Sequence, residues 1–370
     1  MCGIVGCLKL ANGVDWVTEQ TNLIHYRGPD SQIVKSITPE LVMGVARLAM
    51  TDPHPRSNQP MIDAETGNAL SFNGEIYNHL DIRKELKSSG ETEEWSGSSD
   101  TESLLVGFSK WGIRATVERC IGMFAFAVWD RETNVLTLAR DRLGEKPLYY
   151  GWQGQGRAAS LLFGSELSAL KAHPVFTANI NRDALCLMMR HSAIAAPHSI
   201  YQDIWKLPPG HLLTVSMARK EPIVESYWSL SEVAESGVAA PFRGGDVEAV
   251  ETLESLLKDA ISKQMMADVP LGAFLSGGID SSTVVALMQA QSSRPIKTFT
   301  IGFNEDSYNE AVHARAVAEY LGTDHTELYV TPQQALEVIP QLPRLYSEPF
   351  SDSSQIPTYL VSHLAHSEVT

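Results

Sequence analysis

The sequence has 370 residues, 44% hydrophobic and 20% charged. That is enough apolar material for two or three packed cores, and too much for a disordered chain, a collagen-like repeat or a pure coiled coil. Acidic residues number 44 against 29 basic, a formal net charge of −15 with pI near 5.2, so neither nucleic acid nor an anionic membrane surface is expected as a partner. A local anion site built from backbone amides stays compatible with that charge.

Taken in chain order, the first half reads as short strands with turns. Met1 to Leu10, Leu41 to Ala49, Ala69 to Phe72, Met123 to Trp129 and Val135 to Ala139 are apolar or alternating runs, and residues 130–134 read as a hairpin loop. Helices are expected over Tyr77 to Lys87 and Thr101 to Trp111. Strands and helices without regular alternation imply an α+β layered domain. Ser231 to Gly245, rich in small residues, reads as the linker.

The second half changes period. Val247 to Gln264 carries a helical stripe of Leu253, Leu256, Leu257, Ala260 and Ile261. Leu271 to Leu275 reads as a buried strand, then Ser281 to Gln291 as helix, Ile296 to Phe303 as strand, Asn309 to Leu321 as helix and Glu327 to Val330 as strand. Thr331, Pro332 and Gln334 form a helix-start signature. Gln355 to His366 reads as a helix, and His366 to Thr370 as the turn into another strand. The alternation predicts an α/β domain with a parallel sheet and helices on both faces.

Four cysteines, Cys2, Cys7, Cys120 and Cys186, form no C-x-x-C pair, which argues against a disulfide scaffold or zinc ribbon. The apolar start is short and lacks a basic leader, and no apolar run approaches the ~20 residues that span a bilayer. A cytoplasmic chain is the expectation.

Two segments carry chemistry. Met1 precedes a small residue, so its removal would leave Cys2 as residue one, with a thiol and a free α-amine that can act as its base. His25-Tyr26-Arg27-Gly28-Pro29-Asp30, Arg47-Leu48-Ala49-Met50-Thr51, Asn73-Gly74-Glu75 and Ser99-Asp100-Thr101-Glu102 are polar landmarks at element ends. Singly, each also reads as ordinary turn or cap chemistry: Asn73-Gly74 is a common hairpin turn, and Asp100 suits an N-cap. In the second half, Leu275-Ser276-Gly277-Gly278-Ile279-Asp280-Ser281-Ser282 lies between strand and helix. Its glycines let the backbone approach an anion, its serines add donors, and Asp280 suits a Mg²⁺ that bridges phosphate oxygens. No Walker A or G-x-G-x-x-G pattern is present at this loop.

Together the landmarks of residues 2 to 200, with Gly122 to Ala127 and Asp141 to Tyr150, resemble the glutaminase domain of class II glutamine amidotransferases. That resemblance implies an αββα N-terminal nucleophile hydrolase fold, with Cys2 as nucleophile and Asn73 and Gly74 as oxyanion donors. It implies glutamine binding by Arg47, Leu48, Ala49, Met50, Thr51, Asn73, Gly74, Glu75 and Asp100. The S-G-G-x-D-S loop is similar to that of the ATP pyrophosphatases. This implies ATP contacts at Leu275, Ser276, Gly277, Gly278, Asp280, Ser281, Ser282 and Ile301, with Asp280 on the metal.

The pair of domains, with Lys206 to His211 and Glu348 to Ser354, resembles the glutamine-hydrolysing asparagine synthetase family. The implied division is a glutaminase domain over 2–205, a connecting segment over 206–245, and the first part of a synthase domain over 246–370. The implied substrates are glutamine, aspartate and ATP, with Mg²⁺, in what is often a homodimer. In the family a further strand, loop and helices follow the last residues here, so an incomplete synthetase step is the expectation. Amidation of another carboxylate, as in polysaccharide biosynthesis, and a catalytically silent fragment are the alternatives.

Overall fold

Strand periodicity decides which side chains meet in the first half. In β1 (Gly3–Leu8) of the computed structural model, which describes residues 2–9, 13–90, 95–216, 221–304 and 309–369, even-numbered Ile4 and Leu8 enter one core while Val5 and Cys7 enter another. Met1 and Leu10, the expected ends of that strand, lie outside the described residues.

The first half continues with α1 (Gly13–Leu23), β2 (Ser31–Thr38), β3 (Leu41–Arg47), β4 (Met61–Ile62), β5 (Ala69–Ile76), α2 (His79–Ser88), α3 (Asp100–Trp111), α4 (Ile113–Arg119), β6 (Gly122–Asp130) and β7 (Val135–Arg140). Then come β8 (Tyr149–Gln153), β9 (Ser160–Gly164), α5 (Leu167–Lys171), α6 (Arg182–His191), β10 (Trp205–Lys206), β11 (His211–Ser216), β12 (Ile223–Ser226) and α7 (Leu230–Ala239).

These strands make two antiparallel sheets, in the orders β10-β8-β9-β1-β3-β2 and β12-β11-β7-β6-β5-β4. The core between them takes Met43 and Val45 from one sheet and Ala125, Trp129 and Leu138 from the other. The outer face of the first sheet packs Val5, Val42 and Leu162 on Val17, Leu170 and Ala184 of the helices. That of the second packs Phe72, Phe124 and Phe126 on Ile82, Leu105 and Phe108. Helix, sheet, sheet, helix is the αββα layering expected. Burying both faces of each sheet explains why β1 and β3 read as continuous apolar runs.

Three expectations are corrected here. Segment 206–245 does not simply connect: β10 pairs with β8, and β11 pairs with β7 and β12, so these strands complete the two sheets. The expected linker begins inside a helix, α7, before the chain becomes irregular. The strand expected over Ala69 to Phe72 runs on to Ile76: β5 passes through Asn73-Gly74, with Asn73 opposite Ala125 and Gly74 opposite Phe124.

The chain divides into two compact units: one runs to Ala239 and takes in Ser347–Phe350, and the other comprises Ala240–Tyr346 and the residues from Ser351 onward. Within the first unit, Glu348 accepts hydrogen bonds from the Ile200 amide (2.7 Å) and the Tyr149 hydroxyl (3.4 Å), and ion-pairs with Lys206.

The second unit opens with α8 (Asp246–Gln264), then β13 (Gly272–Phe274), α9 (Ile279–Gln291), β14 (Lys297–Phe303), α10 (Ala311–Leu321), β15 (Asp324–Val330), α11 (Pro332–Val338), α12 (Leu342–Leu345) and α13 (Gln355–His366). β13, β14 and β15 pair in parallel, in that order. Leu275 and Ala273 pack with Val285, Ala314 and Ala318 from α9 and α10. Phe274 and Phe299, opposite one another in register, point to the other face and share a cavity with Ala365 of α13. Helices therefore cover both faces, as expected.

Burial falls short of expectation. Phe274 is 50% exposed, and Leu253 and Leu256 of the α8 stripe are exposed, Ile261 alone being buried in that helix. Thr331 and Gln334 form the reciprocal cap that begins α11. Among the described residues, no helix is long and apolar enough to cross a membrane.

Candidate active site

Period two also gathers the first site. Cys2 has the parity of Ile4 and Leu8 and packs against the inter-sheet core. Arg47 has the parity of Met43 and Val45, and Asn73 that of Ala69. All three belong to the inner faces of the two sheets, Cys2 just before β1, Arg47 at the end of β3 and Asn73 within β5.

Cys2 is clamped through its backbone. The Arg27 Nε donates to the Cys2 carbonyl at 3.1 Å, and Arg27 Nη1 pairs with Glu166 at 2.8 Å. The Tyr26 hydroxyl also bonds Glu166, and Ser165 Oγ accepts from the Ile4 amide at 3.0 Å. The thiol donates to the Leu48 carbonyl at 3.6 Å. Burial pushes its pKa up; the Leu48 contact and Arg47 oppose that, and Glu75 adds to it. A scarce thiolate makes a local base more necessary.

Arg47 is 5% exposed. Its Nη1 donates to Asn58 Oδ1 at 3.1 Å, and its Nη2 to the carbonyls of Thr51 (3.2 Å) and Asp52 (2.6 Å). These partners are neutral acceptors, which leave its charge to act on an incoming anion. Asp30 Oδ2 accepts from the Ala49 amide at 2.8 Å and shapes the loop after Arg47.

Asn73 is fully buried, and neither polar atom of its amide has a hydrogen-bond partner. Such a group costs about 1–3 kcal/mol of stability. Gly74 is required sterically: a Cβ there would lie 2.2 Å from the Met123 carbonyl. Asp100, at the start of α3 after the Ser99 cap, accepts from the Ile76 amide at 2.9 Å, which ties it to the end of β5. Burial raises its carboxyl to about 6, against the pull of the Ile76 and Thr101 amides and Arg83.

Cys2, Arg47, Leu48, Met50, Thr51, Gly74, Glu75 and Asp100 line one cavity. Asn73 and Ala49 are not among its lining residues. Sequence reasoning missed Gln59, whose Oε1 accepts from the Phe72 amide (2.7 Å) and whose Nε2 donates to Thr101 (3.1 Å). It also assigned nothing to Glu166, Asp52 and Arg83. None of these lies in a compact motif; a polar residue beside a proline, as at Gln59-Pro60, was the one local signal.

The second site is a turn from β13 into α9. Gly277 has φ +78°, and a Cβ on it would lie 2.7 Å from the backbone of His313 and Ala314. Ser276 Oγ and Ser281 Oγ share a hydrogen bond of 2.9 Å, and Ser281 Oγ accepts from the Ser276 amide at 3.2 Å. Ser282 Oγ is buried without a partner at the helix start. Leu275 is buried, Ile301 half-buried on β14, and Asp280 exposed in the first turn of α9. The donor set is therefore backbone N–H groups, hydroxyls and one carboxylate. It fits a polyphosphate with a Mg²⁺ that takes most of its ligands from phosphate and water. Among the described residues, no group of three or more His, Cys, Asp or Glu could hold a metal by itself.

An αββα sandwich whose cavity is lined by a cysteine before an inner strand and an arginine at the end of its neighbour fits a glutamine amidotransferase domain. The family model described as "Glutamine amidotransferase domain" matches residues 1–228, and that described as "Asparagine synthase" matches residues 252–370. A Methanocaldococcus jannaschii protein, provisionally named asparagine synthetase (glutamine-hydrolysing) 2, is 33% identical over 100% of this chain and 73% of its own length. Asparagine synthetases 3 and 1 of Bacillus subtilis are 34% and 29% identical, over 84% and 100% of this chain and 50% and 56% of their own lengths. A solved structure of glutamine phosphoribosylpyrophosphate amidotransferase from B. subtilis covers 90% of this chain and 70% of its own, at 15% identity and a TM-score of 0.45. The chain belongs to the glutamine-hydrolysing asparagine synthetase family, and spans between half and three-quarters of the length of these curated relatives.

Proposed function

We propose that the chain hydrolyses glutamine in its first unit and binds ATP in its second, for glutamine-dependent amidation of aspartate. The observation that carries the first part is the convergence of Cys2, Arg47, Glu75 and Asp100 on one cavity. In this reading Arg47 pairs with the glutamine α-carboxylate, and Asp100 with Glu75 receives the α-ammonium. Leu48, Met50 and Thr51 wall the substrate in, with Ala49 held behind them by Asp30.

Cys2, matured to residue one, passes its thiol proton to its own α-amine and attacks the side-chain amide carbon. The oxyanion forms against Asn73 and the Gly74 region, a contribution worth about 2.7–4 kcal/mol per donor. Collapse expels ammonia with that proton and leaves a γ-glutamyl thioester, which water hydrolyses to glutamate. An unpartnered amide before reaction suits this role, because its hydrogen bond is then made mainly in the transition state.

The second unit's turn would hold ATP through the amides around Gly277 and Gly278 and the hydroxyls of Ser276, Ser281 and Ser282. Leu275 and Ile301 would flank the adenosine, and Asp280 would hold the Mg²⁺, which neutralises phosphate charge when bound. Adenylation of the aspartate β-carboxylate then provides the leaving group that ammonia displaces, giving asparagine, AMP and pyrophosphate. We place this activity in the cytoplasm, in a homodimer, and expect no nucleic-acid or membrane partner.

The test is direct. The purified chain with glutamine, aspartate, ATP and Mg²⁺ is assayed for glutamate, asparagine and pyrophosphate. Glutamate release that depends on Cys2, and aspartate-dependent pyrophosphate release that depends on Asp280, support the two halves. Undiminished glutaminase in Cys2→Ala sinks the first assignment, and pyrophosphate release indifferent to aspartate sinks the second.

A further inference from the structure

We propose that Asp52 is a positioning residue that fixes the distance between the two charged grips of the glutamine site, Arg47 and Asp100; the inference rests on the glutaminase reading above. These grips lie on different elements, one ending β3 and one beginning α3. An amino acid's carboxylate and ammonium sit on one carbon, so the spacing of their receptors tolerates little error.

Asp52 bonds to both sides. Its backbone carbonyl accepts from Arg47 Nη2 at 2.6 Å. Its side-chain Oδ2 accepts from the Ser98 amide at 2.9 Å, two residues before Asp100. Arg56 braces the same carboxylate at 3.0 Å and 3.3 Å. Asp52 is 3% exposed and has φ +42°, a conformation that asparagine and aspartate tolerate better than most side chains. Gly97 allows the approach: a Cβ there would lie 2.4 Å from Asp52 Oδ2. Burial favours the neutral acid, but Arg56 and the Ser98 amide outweigh it and hold the carboxyl well below the usual range, so the clasp stays charged at working pH.

The far wall of the clasp is braced as well. Arg83 donates to the carbonyls of Gly97 (2.7 Å) and Ser99 (2.6 Å), and Glu102 accepts from the amides of Ser96 (2.7 Å) and Gly97 (2.9 Å). Segment 96–99 is thus a rigid arm with Asp52 as its link to the Arg47 loop. Asp52 touches no reacting atom in this reading, so it acts on recognition rather than on thioester chemistry.

Asp52→Asn keeps the shape and the backbone conformation and removes the charge; Gly97→Ala pushes the carboxylate aside. Both variants are expected to raise the KM for glutamine by on the order of tenfold or more while kcat stays close to wild type. A second readout uses alkylation of Cys2, in which the thiolate displaces halide and forms a C–S bond. An amino-acid chloromethyl ketone of glutamine's length should react more slowly with both variants; iodoacetamide, which needs neither grip, should react at the wild-type rate. An unchanged KM and chloroketone rate overturn the proposal, as does an equal slowing of both reagents, which would mark general disorder of the site. A wild-type chain that neither hydrolyses glutamine nor favours the chloroketone overturns the glutaminase reading and this inference with it.

Discussion

The two candidate sites are built on opposite terms. In the first unit the candidate groups are side chains held by two packed sheets and the start of α3, several of them buried, and one is left without partners: both polar atoms of Asn73 are orphaned. In the second, the loop at Gly277 is mainly backbone, and Ser276 and Ser281 bond one another across it. The first site stores its readiness as unmet hydrogen-bonding capacity, at a cost borne by a large core. The second carries less of it: Ser276 and Ser281 satisfy one another and Ser282 Oγ alone is buried without a partner, in a smaller unit of three strands.

The contrast can be broken most severely at Cys2. Cys2→Ala should reduce glutamine hydrolysis to background while leaving ATP binding, read by a fluorescent nucleotide, as in wild type. Asn73→Ala should lower glutaminase kcat by roughly 10²–10³-fold. Because it removes a buried group that costs about 1–3 kcal/mol when unpaired, the loss of packing should be largely offset and the thermal midpoint should not fall appreciably. A clear fall in both would mean that Asn73 is structural, and the contrast would fail.

Gly277→Ala probes the other side. With φ +78° and backbone 2.7 Å from the added Cβ, it should cost about 1–3 kcal/mol of strain in the second unit and weaken ATP binding, with glutaminase kcat unaltered. The last effect is set by pH. Asp100 titrates at about 6 in the folded chain, above its usual value of 3.8, because it is buried. The folded state therefore binds the proton more tightly than the unfolded one, and Asp100's contribution to stability falls as pH rises from 3.8 towards 6. If Asp100 receives the glutamine ammonium as proposed, the anion is required and the KM for glutamine should rise by up to about tenfold for each pH unit below 6. Opposite slopes for stability and affinity over one window, read by denaturant melts and initial rates, are the signature of a preformed buried grip.

The motifs were legible because each is a short run: Cys2, Arg47 to Thr51 and the S-G-G-x-D-S loop stand out locally, and the alternation of strand and helix after residue 246 sufficed for the parallel sheet. The end of the strand at Phe72 was misjudged for a physical reason. The apolar run stops at Phe72, yet β5 continues through Asn73, Gly74 and Glu75 to the buried Ile76, and Gly74 lets β6 pass close by. The α8 stripe looked like core and stands largely exposed, since periodicity reports which face is apolar and not what covers it. Asp52, Gln59, Arg83 and Glu166 left no trace in any motif; their roles come from hydrogen bonds between segments distant in sequence.

The return of Ser347–Phe350 to the first unit has a practical bearing on dissection. The polypeptide passes between units after Ala239, again before Ser347 and again after Phe350. A cut at the first passage would release a glutaminase fragment without Glu348, leaving Lys206, Tyr149 and the Ile200 amide short of their shared acceptor. The natural seam of this protein is therefore not a point on the chain: a stand-alone first domain needs those four residues restored, by a fused or added peptide, to keep the fold it has here.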